Sequence, residues 1–322
     1  MTRILVTGAA GFIGSHVTEA LLARGDDVIG LDNFDPAYPR VVKLENLALC
    51  HGQPAFRLVE ADVRDETRLA ELLTPDTVVV HLAALAGVRP SVADPVRYAN
   101  VNVGGTAALL SAMQRAGASR LVFASSSAVY GDETPVPFRE DAPAVTPVSP
   151  YGATKRAAEL LIASMADLAG LRVALLRLFT VYGPRQRPDL AIHAFARRMA
   201  DGLPITLFGS NQARDYTYVA DAVAGFLAAV DWTAAAPRGA TEAVNIGGNR
   251  PVPLDVMTET LALALGVTPI IERAPSQPGD VRWTAADLEK AWAVLRYRPR
   301  TSFAEGIERF VVWFREAYAL AH

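Results

Sequence analysis

A glycine-rich turn near the start of the chain constrains the fold more than any other feature. RILVTG is an apolar strand pattern, and GAAGFIG follows it directly, bringing Gly8, Gly11 and Gly14. From Ile13 to Arg24 the apolar residues then recur at helical spacing. Small residues between a strand and a helix let the backbone approach a diphosphate, which N–H groups at the helix start can bind. The spacing G-x-x-G-x-x-G is not the usual G-x-G-x-x-G, so the motif needs support from elsewhere in the chain.

The first half of the chain alternates short apolar runs with helical patterns. DVIGLD, FRLVEAD, TVVVHLAA, RLVFASSS and LRVALLRLF are nearly continuous in apolar residues. Such runs are typical of strands that are buried on both faces of a parallel sheet. Helical spacing lies between them, most clearly over residues 95–116 and 151–169. The sequence therefore predicts an α/β protein with a Rossmann doubly wound parallel sheet.

An acidic residue closes the second predicted strand. Asp32 lies 18 residues after Gly14, where a carboxylate can bond the adenosine ribose hydroxyls. A 2′-phosphate would meet a negative charge there and no Arg follows immediately, so the pattern predicts NAD rather than NADP. Asp62, at the end of FRLVEAD, is placed to reach the adenine edge, or is a solvated turn residue. Ala83 and Ala84 close the fourth strand as small residues beside the cofactor.

Beyond Gly183 prolines are frequent, and the predicted helices and strands between them are shorter. We expect an NAD-binding Rossmann domain over residues 1–180. A smaller C-terminal α/β lobe over 181–322 would bind the substrate, with some chain crossing back to the first domain.

Tyr151 and Lys155 form Y-x-x-x-K at the start of a predicted helix, and Ser126 ends the strand RLVFASSS. Residues four apart share one helical face, so the ammonium can favour the phenolate. We expect Tyr151 to act as a base well below its reference pKa of about 10. Ser126 would hydrogen-bond the same substrate hydroxyl.

Composition excludes several other classes of protein. The chain carries 31 Lys and Arg against 34 Asp and Glu, a net charge of −3, which gives no excess to neutralise a nucleic acid. The five histidines are scattered without metal-ligand spacing, and no apolar run is long enough to span a membrane. Cys50 has no cysteine partner in the chain, which indicates a reducing, cytoplasmic location. The apolar N-terminus fits a first strand better than a signal peptide.

The chain resembles the extended short-chain dehydrogenase/reductases, and within them the NAD-dependent nucleotide-sugar epimerases and dehydratases. The motifs that carry this resemblance are GAAGFIGSH, LDNF, ADVRD, HLAA, YANVNVGGT, SSSAVYG, SPYGATK, LFTVYGPRQRPD, RDYTYVAD and NIGG. It implies a catalytic triad of Ser126, Tyr151 and Lys155, and a homodimer built on the two helices over 95–116 and 151–169. It also implies further cofactor contacts from Phe12, Ile13, Asn33, Val63, Leu82, Asn102 and Phe179.

Two stretches bear on the substrate. In the dehydratases an acid pair precedes Val-Tyr-Gly, whereas this chain has Ser127 and Ala128 there, which disfavours elimination of water. FTVYGPRQRPDLA is similar to the bacterial UDP-glucuronate 4-epimerases, which implies interconversion of UDP-glucuronate and UDP-galacturonate through a 4-keto sugar. The residues expected to bind this substrate, besides Ser126 and Tyr151, are Arg89, Ser127, Thr180, Arg185, Arg187, Arg214 and Asp280. Epimerisation of a neutral UDP-hexose, decarboxylation of UDP-glucuronate and a non-catalytic NAD-binding role stay open.

Overall fold

The computed structural model describes residues 1–144, 146–209, 212–275 and 283–319. Its strands in chain order are β1 (Arg3–Thr7), β2 (Asp27–Asp32), β3 (Phe56–Glu60), β4 (Val78–His81), β5 (Arg120–Ser126), β6 (Arg172–Leu178), β7 (Thr180–Tyr182), β8 (Ile205–Phe208), β9 (Ala213–Tyr218), β10 (Thr241–Ile246), β11 (Pro251–Pro253) and β12 (Ile271–Ala274).

The α-helices are α1 (Phe12–Ala23), α2 (Arg40–Asn46), α3 (Glu66–Leu72), α4 (Val88–Ala93), α5 (Pro95–Tyr98), α6 (Gly105–Ala116), α7 (Pro150–Ala169), α8 (Ala191–Ala200), α9 (Val219–Ala235), α10 (Leu254–Leu265), α11 (Glu289–Leu295) and α12 (Phe303–Ala319). A π-helical turn, Ala99–Gly104, joins α5 to α6, and a 3₁₀ turn, Ser127–Val129, follows β5. None of the described helices is both long and apolar enough to cross a membrane.

Seven parallel strands form the central sheet in the order β10-β6-β5-β4-β1-β2-β3. The order reverses between β1 and β4, where Thr7 lies opposite His81. The connections that leave these two strands run to opposite faces of the sheet, and open α/β sheets bind ligands in the crevice at such a point. The predicted Rossmann sheet is therefore confirmed, with a strand at each of the apolar runs named above.

Successive residues of the central strands pack into two separate cores. Ile4 and Val6 of β1 belong to the core that α1 and α9 cover, whereas Leu5 between them belongs to the core that α3, α6 and α7 cover. All three side chains are fully buried. A strand with both faces covered has no polar alternation, and this explains the continuous apolar runs of the sequence.

The second half of the chain builds two small sheets and also completes the large one. β11, β9 and β7 form a three-stranded sheet, and β8 pairs with β12. β10 lies at the edge of the seven-stranded sheet, hydrogen-bonded to β6, so chain from beyond residue 180 returns to the Rossmann sheet. The loops after β1, β2, β4 and β5 and the start of α7 all lie at the carboxyl edge of this sheet, where the candidate residues gather.

Candidate active site

The glycine loop between β1 and α1 is tightly closed. Gly8 has a positive φ of 73°, and its N–H donates to the carbonyl of Leu31 at 2.7 Å. A Cβ on Gly14 would lie 2.0 Å from the carbonyl oxygen of Gly8, so no side chain fits there. Gly11 supplies the N-cap of α1 and leaves that end without a side-chain cap. Phe12 and Ile13 follow as its first residues, so the backbone N–H groups of this turn are the ones available to an anion.

A buried carboxylate lies at the end of β2, as an adenosine ribose requires. Asp32 accepts hydrogen bonds from the N–H groups of Ala10 (3.1 Å) and Phe34 (2.8 Å). Burial raises its pKa, against the opposing charge of Lys43, whose Nζ lies 3.9 Å away. These contacts tie Asp32 to the glycine loop and leave acceptor capacity for hydroxyl groups. A carboxylate acceptor at this position fits the donating hydroxyls of a ribose and would repel a phosphate.

Acids and small residues surround this corner of the site. Asn33 donates to Asp62 at 2.9 Å, and Arg64 also donates to Asp62, which lowers the pKa of that carboxyl to about 2. The remaining predicted cofactor residues lie at the ends of the strands: Val63 after β3, Leu82, Ala83 and Ala84 after β4, and Phe179 after β6. A Cβ on Gly8 would lie 2.8 Å from the N of Ala83, so the loop and the end of β4 are in contact.

The predicted triad residues come from two elements. Ser126 ends β5, and its side chain is hydrogen-bonded to the phenol of Tyr151 in the first turn of α7. Lys155, one turn later and 4 % exposed, donates from Nζ to the carbonyl of Ala124 at 2.6 Å. The helix begins cleanly because Ser149 caps it by accepting from the N–H of Gly152 and because Pro150 occupies its first position.

The protonation of Tyr151 differs from our expectation. Burial raises the pKa of Tyr151, and the influences that lower it are the hydrogen bond from Ser126 and the charge of Arg187. Burial also lowers the pKa of Lys155 to about 7, opposed by the charge of Glu159. The expectation that Lys155 holds the phenolic pKa below its ordinary value is therefore wrong here, because the ammonium points to the Ala124 carbonyl and the Phe123 ring.

Asn102 joins the end of β4 to the catalytic helix. Its amide donates to the carbonyl of Leu85 and the hydroxyl of Thr154, both at 3.0 Å, and accepts from the N–H of Leu85 at 2.8 Å. Our prediction of one regular helix over 95–116 is wrong at this point, because Asn102 lies in the π-helical turn. Such turns often occur at functional sites, where they present a side chain that a regular helix would turn away.

Arg185 does not fit the expected anion contact. Its guanidinium donates to both carboxylate oxygens of Glu19 at 2.7 Å, to the carbonyl of Asn46 at 2.7 Å and to Nδ1 of His16 at 2.9 Å. The charge is neutralised and most of the donors are used, so Arg185 connects the loop after β7 to α1 and α2.

Arg187 lies on the catalytic side of the same loop. It donates to both oxygens of Asp189, and its charge acts on Tyr151 and on Tyr38. Its side chain is 18 % exposed. Arg187 is thus the arginine of this loop whose field reaches the phenol.

The other predicted substrate residues that the structure describes lie on four separate elements. Ser127 opens the 3₁₀ turn after Ser126, and Thr180 begins β7 in register with Tyr216. Arg89 on α4 places its guanidinium 5.0 Å from the ring centroid of Phe208 in β8. Arg214 lies in β9, and Asp280 lies outside the described residues.

Two supporting residues have no signal in the sequence. Ser91 accepts the backbone N–H of Tyr151 at 3.0 Å, and the ring of Tyr98 packs edge-on against that of Tyr151, with centroids 6.4 Å apart. Tyr98 begins the quoted motif YANVNVGGT and Ser91 lies outside the quoted motifs, and no spacing rule distinguishes either residue. Together they hold the start of α7.

No group of three His, Cys, Asp or Glu side chains in the described residues could hold a metal ion. Cys50 is buried, and burial raises the pKa of its thiol to about 12, which keeps it protonated and unreactive.

Comparison with known proteins identifies the family. Residues 4–247 match the model of the NAD dependent epimerase/dehydratase family. The chain is 39 % identical to the UDP-glucuronate 4-epimerase of Thermodesulfobacterium geofontis, over 98 % of this chain and 97 % of that one. It is 36 % identical to a probable UDP-glucuronate 4-epimerase of Rhizobium meliloti, over 99 % of both chains.

A solved structure shows the same likeness in three dimensions. The UDP-glucuronic acid 4-epimerase of Bacillus cereus, in complex with UDP-glucuronic acid and NAD, superposes with a TM-score of 0.92. The two chains are 35 % identical, and the match covers 98 % of this chain and all of that one. The chain belongs to the NAD-dependent epimerase/dehydratase family.

Proposed function

We propose that this protein is a UDP-glucuronate 4-epimerase, which interconverts UDP-glucuronate and UDP-galacturonate. The observation that carries the proposal is the cluster of Ser126, Tyr151 and Lys155 at the sheet edge, with the charge of Arg187 reaching the phenol. The relatives quoted above support it, because two are UDP-glucuronate 4-epimerases and the third is a probable one. Each matches this chain over essentially its whole length.

The residues present fit NAD. The glycine loop with its uncapped helix start would hold the diphosphate, Asp32 and Asn33 the adenosine ribose, and Asp62 the adenine edge. Tyr151 and Lys155 would meet the nicotinamide half, with Asn102 supporting them. When bound, NAD accepts a hydride from C4 of the sugar and returns it. Because the two transfers balance, the cofactor is not consumed, and we expect it to stay with the protein.

Tyr151 moves the proton of the 4-hydroxyl. As the C–H bond at C4 breaks, the phenolate takes the hydroxyl proton, and the same phenol gives it back when the carbonyl is reduced. Burial opposes the phenolate, whereas Ser126 and Arg187 favour it. Ser126 would also bond the reacting oxygen, so its hydroxyl lies where it can stabilise charge in both directions.

The substrate's carboxylate sets a further requirement. A 4-keto uronate is a β-keto acid, and it loses CO₂ readily when the C5–carboxylate bond stands perpendicular to the carbonyl plane. An epimerase must hold the carboxylate out of that alignment while the sugar turns over. The proposed groups for this purpose are the hydroxyls of Ser127 and Thr180 and the guanidinium of Arg187. Ser127 follows Ser126, Thr180 begins β7, and the charge of Arg187 reaches the phenol of Tyr151. Arg89, Arg214 and Asp280 remain proposed contacts to the nucleotide half of the substrate.

The proposal also includes the oligomeric state and the cellular location of the protein. Apolar side chains are exposed along the helices that we expect at a homodimer interface: Val96 is 68 % exposed on α5, and Leu160 and Leu168 are exposed on α7. Large exposed apolar side chains of this kind favour association when they form a patch. We propose a cytoplasmic homodimer. Light scattering on the purified protein tests its oligomeric state directly.

Proton NMR of UDP-glucuronate with the purified protein and no added NAD tests the function. New UDP-galacturonate signals are the expected result and would show uronate chemistry with a retained cofactor. UDP-pentose signals with release of CO₂ would overturn epimerisation in favour of decarboxylation. An unchanged spectrum together with turnover of UDP-glucose would assign a neutral hexose, and no turnover at all with bound NAD would indicate a non-catalytic role.

A further inference from the structure

A buried carboxylate lies directly beneath the catalytic residues. Glu159 is one helical turn after Lys155 on α7 and is 1 % exposed. Its two oxygens accept from Nε and Nη2 of Arg177 on β6, both at 3.0 Å, and from Nη1 of Arg156 at 2.9 Å. A carboxylate this deep is costly unless it is paired, and here its pairing is almost complete.

The fourth hydrogen bond of Glu159 reaches the catalytic strand. Ser125 donates to Glu159 at 2.6 Å. On one side of Ser125, the carbonyl of Ala124 accepts from Lys155, and on the other side Ser126 bonds Tyr151. One carboxylate on the catalytic helix thus holds the middle residue of a three-residue segment whose two neighbours contact the acid–base pair.

The electrostatic environment of Lys155 also involves Glu159. Lys155 and Glu159 are four residues apart on one helix face, and Glu159 favours the charged form of Lys155. The other titratable or charged groups that face this pair come from α7, β4, β6 and the segment after β5. They are Tyr151, Arg156, His81, Arg177, Tyr130 and Glu140. His81 is fully buried with its pKa lowered to about 3, so it is neutral and adds no positive charge beside the ammonium.

We propose that Glu159 is a positioning residue for the epimerase reaction, which holds the end of β5 through Ser125 and keeps a negative charge beneath Lys155. The proposal rests on the proposed function for its kinetic part only. The sequence carries the signal as a Glu four residues after the lysine of Y-x-x-x-K, but the spacing alone could equally place a solvated helix residue there.

Two variants separate the positional part from the charge part. Ser125→Ala removes one hydroxyl and no charge, and we expect kcat to fall about tenfold with KM nearly unchanged, since small misplacement of reacting groups is costly. Glu159→Gln keeps the shape and removes the charge, and we expect both a lower kcat and a high-pH limit of activity that moves to lower pH by about one pH unit. Glu159→Asp, which keeps the charge at a shorter reach, should restore the pH limit but not kcat.

Lysine NMR gives a readout that needs neither turnover nor cofactor. The chain has three lysines, Lys43, Lys155 and Lys290, so spectra of protein labelled at lysine Cε contain few signals, and Lys43→Arg and Lys290→Arg assign them. The titration of Lys155 should move to lower pH in Glu159→Gln and stay in place in Ser125→Ala. Asp167→Asn, at an exposed position of the same helix, is the control and should change neither titration nor kcat.

The outcomes are distinguishable. An active wild type with an unaltered kcat in Ser125→Ala and an unmoved Lys155 titration in Glu159→Gln would overturn the role of Glu159. A wild type that does not epimerise UDP-glucuronate, with the Lys155 titration moving as expected, would overturn the proposed function and leave the charge coupling in place. If Glu159→Gln does not fold, Glu159→Met/Arg177→Met removes both charges of the buried pair together, and wild-type kcat in that variant would also overturn the proposal.

Discussion

Arg185 and Arg187 are two residues apart in one loop, and their guanidinium groups serve opposite sides of it. Arg185 is bonded to Glu19, His16 and Asn46, whereas Arg187 is paired with Asp189 and acts on the phenol of Tyr151. Arg185 thereby attaches the loop after β7 to helices α1 and α2, whereas the charge of Arg187 acts on the catalytic tyrosine.

This difference predicts different losses for matched substitutions. Arg187→Gln should lower kcat/KM for UDP-glucuronate relative to UDP-glucose by about tenfold or more, because a charged hydrogen bond to the carboxylate is lost. Arg185→Gln should leave that ratio unchanged and lower the free energy of unfolding by about 1–3 kcal/mol, because Glu19 loses its partner. Competition kinetics and urea denaturation measure the two effects. The same substrate ratio in both variants would contradict the assignment of Arg187.

Tyr151→Phe removes the proton-transferring hydroxyl and little else. We expect kcat to fall by about 100-fold or more, since general acid–base catalysis contributes at least that much. Bound NAD should remain, because the glycine loop and Asp32 are untouched. NMR assays and the cofactor content of the denatured protein give the two numbers, and near-normal turnover would refute the role of the phenol.

Gly14→Ala tests the closure of the nucleotide loop. The new Cβ would lie 2.0 Å from the carbonyl oxygen of Gly8, so the loop must move. We expect the free energy of unfolding to fall by about 1–3 kcal/mol and NAD to be lost on purification. Gly104→Ala is the control, since a Cβ there meets no atom within 4 Å. Retained NAD in Gly14→Ala would mean that the loop adapts.

His16 makes stability depend on pH. Its Nε2 lies 2.9 Å from the carbonyl of Pro184 and its Nδ1 faces Arg185, an arrangement that requires the neutral ring. Burial lowers its pKa from 6.5 to about 4. The unfolded chain therefore binds the proton first as pH falls, so stability is full above 6.5 and is lost between 6.5 and 4.

His16→Gln keeps a donor and an acceptor without titrating. Between pH 7 and 5 the wild type should lose about 2 kcal/mol more stability than this variant, as urea denaturation at the two pH values would measure. His81 is retained in both proteins, so its contribution cancels. Equal losses would show that His16 is not held neutral.

The sequence predicted the parts of the site that depend on local chemistry. The glycines, Asp32 and the Tyr151–Lys155 pair each belong to one strand, turn or helix, and those elements lie where the sequence predicts them. Arg185 could not be assigned, because its partner Glu19 is 166 residues away in the chain and only the packed loop brings them together. The protonation of Tyr151 depends on burial and on Arg187, which are also tertiary effects. The π-helical turn at Asn102 has no compositional signal, since ANVNVG reads equally well as a regular helix.

β10 is the last strand of the seven-stranded sheet to be made, and it ends at residue 246 of 322. During synthesis, one edge of β6 therefore stays unpaired until about three quarters of the chain has been made. A nucleotide-binding unit that ended near residue 180 would therefore lack the seventh strand of its sheet. A fragment cut there would expose a hydrophobic strand edge, which favours aggregation. We therefore expect the two halves of the chain to require expression as a single polypeptide and to evolve together.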